Sequence, residues 1–72
     1  MKYELHVYCR HGKGAGDAGL HAQYECADDN EAKSKVGPDL SFLCACYDTV
    51  QWSLLPGGGG EAIAKGTAYG HR

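Results

Sequence analysis

Between Tyr3 and Cys9 the chain alternates without a break, Tyr3, Leu5, Val7 and Cys9 falling against Glu4, His6 and Tyr8. Successive side chains of a strand point to opposite faces, so this period of two predicts a half-buried strand. His11 to Gly19 holds four glycines in nine residues and reads as a loop, after which Leu20, Ala22, Tyr24 and Cys26 alternate against His21, Gln23 and Glu25. The two strands are expected to pair as a hairpin with a long tip.

Asp28, followed three residues later by Glu31, has capping-box spacing with Asp in place of Ser or Thr. Glu31, Ala32, Lys33, Lys35 and Val36 favour a short helix that Gly37-Pro38 ends, with Ala32 and Val36 turned to the sheet. Early acids and later lysines would suit its dipole. Leu40–Tyr47 and Val50–Leu55 are nearly continuous apolar runs and read as a second hairpin turning near Asp48-Thr49. A competing reading starts a second helix at Pro38-Asp39, because Leu40, Leu43, Cys44 and Tyr47 also fall at helical spacing. Pro56 and Gly57–Gly60 break the chain, and Glu61–Tyr69 alternates weakly as an edge strand or loose tail.

These elements predict an α+β fold: an antiparallel sheet of four to five strands with one short helix packed on one face. Residues 1–72 read as a single domain in which 57–72 form a glycine-rich loop and an edge strand or tail. A domain of this length buries only about 60% of the surface its unfolded chain exposes, so its stability is expected to be marginal. Nine Ala dilute the apolar set, and Val, Ile, Leu and Phe together number eleven, so the core must lean on Tyr, Cys and Trp52. A net charge of -2 places the chain outside the highly charged, disordered class and supplies neither the basic excess of a nucleic-acid binder nor the acidic excess of a DNA mimic. No apolar run approaches the roughly 20 residues that span a bilayer, which points to a soluble, cytoplasmic protein.

Four chemistries are worth weighing. Cys9, Cys26, Cys44 and Cys46 would all lie beneath the helix if their strand faces coincided, but knuckle spacings such as C-x2-C are missing, so they read first as small core residues and only second as a metal- or redox-responsive set. His6 and His21 are expected as neighbours on the wet face of the first hairpin, where polar residues are the default. The segment Arg10-His11-Gly12-Lys13-Gly14-Ala15-Gly16 has the look of an anion cradle, yet it lacks the P-loop pattern and no helix follows it directly. Cys9 with His11, and Ser41 or Ser53 without a third group, form no nucleophile signature, so no catalytic residue and no cofactor are expected.

A protein interface suits what is left. Tyr8, Tyr47, Trp52, Leu55 and Tyr69 are more apolar surface than one short helix covers, and Tyr, Trp and Arg dominate binding hot spots. Tyr8, Arg10, His11, Lys13, Trp52 and Lys65 are accordingly the candidate partner-binding residues.

The succession of strand Tyr3–Cys9, strand Leu20–Cys26, acidic cap, Glu31-Ala32-Lys33 helix start, Phe42–Tyr47 and Val50–Leu55 resembles the small phage-encoded anti-CRISPR proteins, several of which pack one helix on an antiparallel sheet. The resemblance spans residues 3 to 55 and rests on element order. It implies a non-enzymatic inhibitor that binds a subunit of a bacterial surveillance complex and blocks DNA recognition in the host cytoplasm, without itself contacting nucleic acid. Arg10, Lys13 and Lys65 would then engage a site that normally holds nucleic acid. Two alternatives stand beside it: the Cys-based metal or redox protein, and a self-assembling structural or accessory phage protein that forms homo-oligomers.

Overall fold

Alternation governs the strands. In the computed structural model, which describes residues 1–12, 14 and 16–70, β1 (Lys2–Arg10) turns Tyr3, Leu5 and Cys9 inward and buries them. It pairs antiparallel with β2 (Asp17–Glu25) on one side and with β3 (Thr49–Pro56) on the other. β4 (Ala64–Tyr69) closes the order β2-β1-β3-β4, an all-antiparallel sheet with one helix on one face. The α+β class and the order ββαββ are as expected, but the residues that fill the second half differ.

The helix, α1, runs from Asp29 to Cys46 through Gly37-Pro38, so residues 40–46 are helix and the expected hairpin turning at Asp48-Thr49 does not form. The segment read as the fourth strand is β3, and the one read as an edge strand or tail is β4. Asp28 caps the helix as its spacing foretold, its carboxylate accepting the Glu31 N–H at 2.8 Å. At the other end the Tyr47 N–H donates to the Leu43 carbonyl at 2.8 Å, and no basic residue lies in the last turn, so Lys33 and Lys35 do not serve the dipole there.

Proline removes one helical hydrogen bond and crowds the preceding turn, at a cost of about 3 kcal/mol. Here Ser34 and Pro38 are both exposed, so the freed carbonyl faces water, and Gly37 has no Cβ to clash with the proline ring. Continuing the helix buries Leu43 after Ala32 and Val36, on the one face the sheet needs covered. Tyr3, Leu5, Cys26, Ala32, Val36 and Leu54 form one core cluster; Cys9, Leu43 and Val50 form a second, and Val7 and Leu40 pack against both. Among the described residues no helix is long and apolar enough to cross a membrane.

One irregularity rearranges β2. Its register against β1 slips between Leu5 and His6: Leu5 faces Ala22, but His6 faces Leu20. His21 is therefore the extra residue of a β-bulge, and everything before it changes face. Leu20, expected inside, is 49% exposed on the far side of the sheet, while His21 is turned to the helix. β2 also starts at Asp17, which shortens the expected loop.

Candidate functional site

With α1 covering one face, the other face of the sheet is left open. Alternation along β1 sends Lys2, Glu4, His6, Tyr8 and Arg10 there, and the paired registers place Gln51 opposite Tyr8, Ser53 opposite His6, Thr67 opposite Gln51 and Lys65 opposite Ser53. His6, Tyr8, Ala18, Gln51, Ser53, Lys65 and Thr67 line a shallow trough of about 660 Å3 across the strands. Donors and acceptors are mixed along it. Lys65 supplies a cation, Gln51, Ser53 and Thr67 supply neutral polar groups, and Glu4 holds the His6 ring at 3.1 Å.

The hairpin tip fixes two of these side chains. The Gly16 N–H donates to the Tyr8 hydroxyl at 3.3 Å, and Arg10 Nε donates to the Gly14 carbonyl at 3.2 Å. A Cβ at Gly16 would lie 2.4 Å from the Cys9 carbonyl oxygen and 2.6 Å from Arg10 Cγ, so only glycine lets the chain return this close to β1.

Of the six expected partner-binding residues, Tyr8, Arg10 and Lys65 share the open face. Trp52 does not: it lies opposite Val7, packs against the core, and lays its indole across Gly66 on the helix side, where a Cβ would sit 3.3 Å from the ring. His11 stacks on Tyr47 at 4.7 Å between ring centroids, beside the end of α1. Lys13 lies outside the described residues. Gln51, Ser53 and Thr67 were not among the expected partner-binding residues, although the alternation of their strands carries them to this face.

Among the described residues of the expected anion cradle, two glycine amides are already taken. The Gly12 N–H donates to the Asp48 carboxylate at 2.5 Å and the Gly14 N–H to the His11 carbonyl at 3.2 Å, so amides that would hold a phosphate are already engaged, one of them by a negative charge.

The four cysteines are free and do not converge: Cys26 lies in one core cluster, while Cys9 lies in the other with Cys44 packed against it. Among the described residues no three His, Cys, Asp or Glu side chains are placed to hold a metal ion. Burial pushes the Cys9 thiol up, helped by Asp17, Cys44 and Cys46, which suppresses the thiolate that metal binding or nucleophilic attack requires.

The expected His6–His21 pair is also absent, because the bulge sends the two rings to opposite faces. His21 instead approaches Asp39 of α1 at 3.8 Å, and the other oxygen of that carboxylate accepts the Tyr24 hydroxyl. Burial, followed by this bond, raises the Tyr24 pKa well above the usual phenol range. At the N-terminal end of the helix the Tyr3 hydroxyl donates to Asp29 at 2.7 Å, and that bond, followed by burial, pushes its pKa up to about 12. Both tyrosines act as struts between sheet and helix.

A second surface lies between α1 and the edge of the sheet, where Leu40, Ser41, Cys44 and Ala45 face Ala68 and Tyr69 across a groove of about 430 Å3. Comparisons with protein-family models, with curated proteins and with solved structures find no match to this chain.

Proposed function

We propose that this protein works by binding another protein through the open face of its sheet, without catalysis. The observation that carries this reading is the trough, which crosses four strands and is lined by Tyr8 and Lys65, with Arg10 further along the same face and Tyr8 and Arg10 both braced by the hairpin tip. Braced aromatic and basic side chains lose little freedom on docking, which favours their use as anchors. Cys9 and Cys26 are buried away from it, and His21 faces the helix. The partner class we propose is a subunit of a bacterial surveillance complex, with Arg10 and Lys65 reaching carboxylates or a site that otherwise holds nucleic acid, so that the protein inhibits by occupancy.

Affinity capture from bacterial lysate with the tagged protein, read by mass spectrometry, tests both levels. Arg10→Ala and Lys65→Glu should each lower recovery of the partner by about tenfold, as for a hot-spot residue, whereas Lys35→Glu on the exposed side of α1 should leave it unchanged. Equal recovery with all three variants overturns the open-face reading. Recovery of a partner unrelated to defence overturns the inhibitor reading alone.

A further inference from the structure

We infer that the free edge of β4 is a homodimer contact, two copies pairing antiparallel about Thr67 so that each supplies the other's fifth strand. Among the described residues β4 has β3 on one side only, so alternate N–H and C=O groups along its other side have no strand partner there. Water satisfies such a row in the single chain, and a second extended strand is what pairs it in full. The opposite edge of the sheet is less suited, because the bulge at His21 interrupts β2, whereas β4 pairs with β3 in unbroken register from Ala64 to Tyr69.

The occupant is argued from the strand's own sequence. Run antiparallel to itself about Thr67, Ala64-Lys65-Gly66-Thr67-Ala68-Tyr69 sets Thr67 opposite the second copy's Thr67 and Lys65 opposite the second copy's Tyr69. Gly66 then meets Ala68. Each pair falls on one face, as a continuous sheet demands, since Lys65, Thr67 and Tyr69 belong to the open face and Gly66 and Ala68 to the helix face. A Thr–Thr cross-strand pair is favourable, and the lysine stem and ammonium meet an aromatic ring rather than another cation. Lys65 is the only charge on β4, and this register keeps it from meeting itself.

The flanks agree. Tyr69 is 69% exposed in the single chain and becomes a cross-strand neighbour in the pair. On the helix face the groove beside β4 is lined from α1 by Leu40, Ser41, Cys44 and Ala45, and the second copy's matching wall would face it across the twofold axis. The contact uses the sheet edge and leaves Tyr8 and Arg10 free for a partner on the open face, with Lys65 bordering both.

The test is the solution mass of the full chain by light scattering and sedimentation from micromolar to millimolar concentration. The wild type should approach twice its 7.7 kDa chain mass. Thr67→Glu and Thr67→Lys each put like charges across the axis and should halve that mass with an unchanged circular dichroism spectrum, and an equimolar mixture of the two should restore the dimer. A wild type that stays monomeric at millimolar concentration, an assembly larger than a dimer, or a dimer indifferent to both substitutions overturns the inference. So does failure of the mixture to dimerise, since restoration needs the two position-67 side chains to meet.

Discussion

Tyr3 and Tyr24 set how the molecule responds to alkali. An unfolded tyrosine ionises near pH 10, whereas folded Tyr3 keeps its proton up to about pH 12 because its hydroxyl donates to Asp29. Between those values the unfolded chain releases a proton that the folded chain holds, so stability is intact below the first and falls as pH rises toward the second. Tyr24, bonded to Asp39, extends the fall. Denaturant midpoints of the wild type should drop steeply across this window, and the Tyr3→Phe, Tyr24→Phe double variant should show a shallower slope. Equal slopes would mean that neither phenol is tied to its carboxylate.

Gly70 makes a second residue-scale case. A Cβ there would lie 2.1 Å from the Tyr47 carbonyl oxygen and 2.7 Å from that of Cys44, where the chain leaves β4 against the end of α1. Backbone must shift to admit it, so Gly70→Ala should lower stability by about 1–3 kcal/mol in chemical denaturation, in line with other overpacked sites. Gly58→Ala, with nothing within 4 Å, is the matched control.

At the scale of elements, the first half of the chain was legible because its signals are local: clean alternation in Tyr3–Cys9, and a capping carboxylate three residues before the N–H it accepts. The strands at Val50–Leu55 and within Glu61–Tyr69 were legible too, but the reach of the helix was not, because Gly37-Pro38 is a strong local stop that tertiary packing overrides. Leu40 and Leu43 fit a strand as an apolar run and a helix by spacing, and what decides between them is the uncovered sheet face, a property of the whole chain. Pro38→Ala separates the two directly. In an unbroken helix, removing proline from an exposed interior position should raise stability by up to about 3 kcal/mol. No gain would contradict a helix that continues through residue 38. The bulge at His21 was equally hidden, since one extra residue in β2 leaves the hydrophobic pattern of the sequence intact while reversing where Leu20 and His21 point.

For the whole molecule, the consequence of the long helix is asymmetry. One face of the sheet is sealed by α1, and the other carries the trough, lined by Tyr8 and Lys65, with Arg10 further along the same face. Trp52 fell out of the expected partner-binding set because a half-buried indole over Gly66 fills a core short of aliphatic residues, a role composition alone does not separate from exposure. Docking of a partner on the open face is read out by lysine acetylation footprinting of the full chain with and without its captured partner. Lys2 and Lys65 project from the open face, whereas Lys33 and Lys35 are exposed on α1. The account predicts that partner binding slows acetylation of Lys65, and of Lys2 to a lesser degree, while Lys33 and Lys35 react as in the free protein; protection of the helix lysines with Lys65 unchanged would contradict it.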